Sequence, residues 1–176
     1  TADAVVSGSE STGERRSGTE RGYRSLAATA AGTISINFDP TVNSSYTEYY
    51  TVSLMDSSGS VLASQDVGKD TDFSAGITDA GTYYVAVDAY NYSAYTTYHD
   101  SGEYSLTASI ATGSTANIET EDNNSRDTAD AVVSGSKIKG QLSSGTESRS
   151  RSLAATAAGT TAIKFDATVN SGYTDY

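Results

Sequence analysis

Apolar and polar residues alternate one by one over several short runs of this chain. In GTISINF (32–38), Ile34, Ile36 and Phe38 fall on one face, because successive strand side chains point to opposite sides. YTVSLM (50–55) brings Val52 and Leu54 together, and the turn SSG (57–59) leads into SVLASQD (60–66). GTYYVAVDAY (81–90) and GEYSLTASI (102–110) are the clearest strand patterns, joined by the tyrosine-rich NYSAYTTYHDS (91–101). No run sustains a 3.6-residue period over ten residues. Short strands divided by Gly, Ser and Asp turns predict an all-β sandwich.

The pattern also restarts. RSLAATAAGT begins at Arg24 and again at Arg151, and residues 1–49 align without a gap with 128–176, 34 of the 49 being identical. The differences cluster where ESTGERRSGTERGY (10–23) stands in place of KIKGQLSSGTESRS (137–150). The later version alternates better, with Ile138 and Leu142 where the earlier has Ser11 and Arg15, so 10–23 is expected to be a weak or partly solvated strand. The map is one period of 127 residues followed by the start of another: a sandwich over 1–112, an acidic linker or head over 113–127, and the first part of a second, incomplete sandwich over 128–176. Tyr176 corresponds to Tyr49, at the start of a strand, and the chain reads as a window on a longer tandem array.

Charge narrows the partners. Eleven Lys and Arg face 22 Asp and Glu, a net charge of −11. Nucleic acid and anionic membrane surfaces call for the opposite balance. No apolar run reaches the length of a membrane span, and TADAVVSGSE lacks the basic start and apolar centre of a signal peptide. There is no cysteine. Abundant Ser and Thr with little Lys fit an extracellular or cell-surface protein.

The acids are densest just before the restart, in ETEDNNSRD (119–127). If 119–123 is extended, Glu119, Glu121 and Asn123 project to one side. Like charges so placed repel unless a cation lies between them, and Ca²⁺ accepts carboxylate and amide oxygens in flexible geometry. A solvated acidic linker has the same composition.

The order of ETEDNNSRDTADAV (119–132), YTVSLMDSSGSVLAS (50–64), AGTYYVAVDAY (80–90) and GEYSLTAS (102–109) resembles the bacterial pre-peptidase C-terminal (PPC) domain, a family that includes the collagen-binding domains of clostridial collagenases. The resemblance covers nearly all of one period. It implies a jelly-roll-like antiparallel β-sandwich, carried by secreted enzymes or repeated in surface proteins. It also implies that the acidic head binds Ca²⁺ through Glu119, Glu121 and Asn123, with Asp122 and Asp127 in the same segment. The family's second acidic stretch corresponds to GTESRSRSL (145–153), where Glu147 is the only acid and arginines intervene.

Other chemistry is thin. His99, Asp100 and Ser101 have the residue types of a catalytic triad, but three consecutive residues cannot converge on one substrate. His99 is the only histidine, and no enzyme activity is expected. Tyr90, Tyr92, Tyr95 and Tyr98 could form a platform for polysaccharide or collagen-like protein, or simply pair across a half-exposed hairpin. Asn43, Asn91 and Asn123 begin Asn-x-Ser sequons. The leading expectation is an extracellular structural repeat protein (fibre, stalk or adhesin) whose units join through Ca²⁺-binding linkers and assemble head-to-tail with themselves or tandem neighbours. The alternative is a collagen- or carbohydrate-binding module appended to a secreted enzyme.

Overall fold

A computed structural model describes residues 2–15, 21–41, 50–89, 102–113, 117–121, 123–140 and 148–165. The strands are β1 (Asp3–Ala4), β2 (Glu10–Arg15), β3 (Gly22–Ala28), β4 (Gly32–Pro40), β5 (Tyr50–Met55), β6 (Val61–Val67), β7 (Thr71–Ile77), β8 (Gly81–Ala89), β9 (Gly102–Thr112), β10 (Asp130–Val132) and β11 (Arg151–Leu153). One sheet runs β1-β3-β8-β5-β6 and the other β2-β9-β4-β7. Their pairings are antiparallel except β1 with β3. The expected all-β sandwich is present. From β1 to β9 the chain changes sheet at every step except β5 to β6, so segments close in sequence supply both layers.

Alternation explains the layers. β4 buries Ile34, Ile36 and Phe38, and β9 buries Tyr104, Leu106 and Ala108 from the same sheet. Opposite them stand Leu26 of β3, Val52 and Leu54 of β5, and Tyr83, Val85 and Val87 of β8. Phe38 lies 5.3 Å from Tyr50 and 5.2 Å from Tyr104 between ring centroids, an edge-and-tilt cluster that fills one end of the core. Strand β7, which the alternation left unmarked, is the edge of the second sheet and puts Phe73, Ala75 and Ile77 into the core. The weak 10–23 pattern still makes a strand: β2 pairs with β9 over all six residues.

The second copy repeats local features of the first. β10 pairs in parallel with β11 in the register Asp130↔Arg151 and Ala131↔Ser152, as β1 pairs with β3 in the register Asp3↔Arg24 and Ala4↔Ser25. Beyond this pairing the described residues build one sandwich, not an array. The residues matching Leu26, Ile36 and Phe38, each at most 1% exposed, are Leu153, Ile163 and Phe165, which are 45%, 87% and 87% exposed.

Candidate functional site

The acidic head is docked, and its docking begins at a glycine. The Gly76 amide on edge strand β7 donates to the Glu119 carbonyl at 3.0 Å, and Gly76 pairs with Thr120 as a parallel bridge. A side chain at position 76 would come within 2.7 Å of that carbonyl oxygen and 2.8 Å of Thr120 Cγ2. Only glycine lets the head lie this close to the sheet. On its other side the head meets the second copy. The Glu119 amide donates to the Lys139 carbonyl and the Lys139 amide to the Asn117 carbonyl, both at 3.0 Å. Segment 117–120 therefore bridges the sandwich and the restart. Position 139 corresponds to Thr12 of β2, which pairs with β9 in the first copy.

Glu119 is turned inward, where it is 7% exposed, and Asn123 is fully buried. One Glu119 oxygen pairs with Arg149 Nε and the other accepts from Arg151 Nη2 at 2.5 Å. Arg149 Nη1 reaches the Glu121 carboxylate, so one guanidinium joins both glutamates. Arg149, Glu119 and Glu121 side chains are all nearly buried. Gly140 lies beneath this cluster, where a Cβ would overlap Glu119 Oε2.

Asp130 completes the arrangement. Its carboxylate accepts from the Thr120 amide at 3.0 Å, the Thr120 hydroxyl at 2.5 Å and Asn123 Nδ2 at 3.1 Å, and lies 3.4 Å from Arg151 Nη1. The Ser150 amide donates to the Asn123 carbonyl at 2.8 Å. Asn123 Oδ1 is buried without a hydrogen-bond partner among the described residues. Burial pushes the Glu119 carboxyl above its ordinary pKa and outweighs the two arginines. For Asp130 burial acts in the same sense, but the bonds from Thr120 and Asn123 and the charge of Arg151 prevail and hold it low.

The structure thus gathers Glu119, Glu121 and Asn123 from the expected ligand set. It leaves out Asp127, whose side chain is 83% exposed and pairs with Arg126 at 3.2 Å. Asp122, Glu147, Tyr90, Tyr92, Tyr95, Tyr98 and the His99–Ser101 run lie outside the described residues. Among the described residues no group of three or more His, Cys, Asp or Glu is placed to hold a metal ion. Sequence reasoning gave no role to Thr120, Asp130, Arg149 or Arg151. The signal for the arginines was their intrusion into GTESRSRSL; that for Asp130 was its recurrence as Asp3.

Several solved structures are similar to this chain. One is the pre-peptidase C-terminal domain of a collagenase from Bacillus anthracis, at 18% identity over 61% of this chain and 94% of that one, with a TM-score of 0.47. It carries the name of the family that the motif order resembles. Another is PliG from Aeromonas hydrophila, a periplasmic inhibitor of g-type lysozyme, at 15% identity over 63% of this chain and 96% of that one, with a TM-score of 0.48. No protein-family model matches the chain, and no curated protein does.

Proposed function

We propose that this chain is a non-catalytic β-sandwich module of an exported protein, and that its acidic segment is a built joint holding the start of the second copy against the sandwich. The docked head carries this reading. A tether that only had to be soluble would not bury Glu119 and Asn123, nor bond its backbone to Gly76 on one side and Lys139 on the other. The acidic, Ser- and Thr-rich composition agrees with a place outside the cell. Among the described residues no helix is long and apolar enough to cross a membrane. Such a module serves a secreted enzyme as a spacer that sets orientation. A binding role toward collagen-like protein or polysaccharide would fall to Tyr90, Tyr92, Tyr95 and Tyr98.

Hydrogen exchange tests the joint. Slow exchange at the Gly76, Glu119 and Lys139 amides, with one solution-scattering envelope, supports it. Exchange at the rate of open chain would refute it. Titration with collagen-like peptide and with polysaccharide decides whether the module also binds a ligand.

A second reading, head-to-tail assembly, has its own support. Leu153, Ile163 and Phe165 lie open although their counterparts form the core. Strands like β5, β8 and β9 from a second copy would cover them as the chain's own strands cover Leu26, Ile36 and Phe38. Sedimentation of the full chain tests this: concentration-dependent association that Phe165→Asp abolishes supports it, and a monomer at every concentration removes it.

A further inference from the structure

The family resemblance implies a divalent cation at the head, and the residues gathered there do not fit one. Calcium takes six to eight oxygens. Here both Glu119 oxygens face guanidinium groups, and the Glu121 carboxylate faces Arg149. Thr120, Asn123 and Arg151 occupy the Asp130 carboxylate. Among the described residues Asn123 Oδ1 accepts no hydrogen bond, and one amide oxygen is far short of the six to eight that calcium takes.

We infer that Arg149 stands where the cation would, so that a guanidinium built into the chain closes the joint and calcium is not required. The two copies isolate its contribution. Arg24 lies 3.4 Å from Asp3, as Arg151 lies 3.4 Å from Asp130; that pair belongs to both copies. Position 149 corresponds to Gly22, so its arginine is not shared by the first copy, and here it meets Glu119 and Glu121. With Arg151 as the only cation, three carboxylates would share one positive charge in a largely dry site. Arg149 supplies the second charge, and its planar fork of donors reaches two carboxylates at once, as a lysine ammonium could not do with the same geometry. Removing one member of such a cluster leaves buried charge uncompensated.

This inference rests on the docked head, and its test separates the two. The full chain is melted, and its Gly76 amide exchange measured, in millimolar calcium and in excess chelator. Expected are one melting temperature and slow Gly76 exchange in both, an Arg149 Nε–H resonance unmoved by calcium, and an Arg149→Gln variant that melts lower by the same amount in both media. A wild-type melting temperature that falls in chelator, or an Arg149 resonance displaced by calcium, overturns the inference while leaving the docked head standing. Fast Gly76 exchange in both media overturns both. Should Arg149→Gln not fold, the wild-type measurements still decide.

Discussion

Phe38 and Phe165 hold the same place in two copies of one sequence, and only Phe38 is buried. Phe38 pairs through β4 with Leu106 of β9 and Thr71 of β7 and packs edge-on to Tyr50 and tilted against Tyr104. Burial of this ring therefore follows the strands around it, although the second copy also carries Thr161 where the first has the core residue Ile34. Phe38→Ala is expected to cost about 3–5 kcal/mol. Phe165→Ala in a monomeric chain should stay within about 0.5 kcal/mol. Urea unfolding of the two variants side by side checks the contrast. Equal losses would mean that Phe165 is covered in solution.

Gly76→Ala tests the docking of the head without touching a charge. The added methyl meets the Glu119 carbonyl oxygen and Thr120 Cγ2 at separations that real Cβ atoms do not show. Backbone faces it on one side, so the head must shift. A loss of about 1–3 kcal/mol is expected, with faster exchange confined to 117–121 and position 76. A variant as stable as the wild type, with unchanged exchange, would show that the bridge at Gly76 is dispensable.

The sandwich was legible because it rests on local alternation. Ile34, Ile36 and Phe38, or Val85 and Val87, announce a buried face within a few residues. Strand β7 was missed because TDFSAGI carries one large apolar side chain before Ile77, and its small residues pack only because β4 lies alongside. The site was half legible. An extended 119–123 predicts that Glu119, Glu121 and Asn123 share a side; Glu119 and Glu121 meet at Arg149, while Asn123 bonds Asp130 together with Thr120, which alternation would place on the other side. What answers those charges could not be read locally, since Arg149 lies 30 positions beyond Glu119 and meets it only through the fold. Asp130 and Arg151 could have been paired in advance by noticing that Asp3 and Arg24 return together.

Asp130 gives the joint an acid limit. Its burial raises the carboxyl, but the Thr120 hydroxyl and amide, Asn123 and Arg151 more than offset that, so its folded pKa lies below the unfolded one. A depressed carboxyl stabilises fully above the ordinary aspartate value of about 3.9 and loses that contribution as pH falls through the lower folded value. Glu119 acts in the opposite sense. Its folded pKa is raised by burial, so its contribution is present below the ordinary glutamate range and is lost as pH rises through the folded value. Asp130→Asn should remove the loss at low pH while lowering stability at neutral pH, because the amide cannot accept from Thr120 and Asn123 as the carboxylate does. Glu119→Gln should leave the Asp130 limb in place. Unfolding free energy measured from pH 2 to 7 in the wild type and both variants tests this. An Asp130→Asn curve parallel to the wild type throughout would refute the assignment.

Gly140 offers the most selective probe of the ionic cluster, because it carries no charge and lies beneath the Glu119 carboxylate and 3.2 Å, at its Cβ position, from Arg151 Nη2. Its counterpart Gly13 sits against the Tyr104 ring instead, within 2.8 Å of Cε2 by the same measure. The two glycines leave room for different neighbours. Gly13→Ala should press on the aromatic cluster and be felt in the core. Gly140→Ala should force the Glu119 carboxylate off its arginines without opening any part of the sandwich. The expected result is a loss of about 1–3 kcal/mol for each, distinguished by where exchange quickens: around β2 and β9 for Gly13→Ala, and around 117–121 and 148–151 for Gly140→Ala. If Gly140→Ala instead loosened β4 or β9 while leaving the head protected, the carboxylate could not be resting on Gly140, and the ion-paired joint would lose its floor.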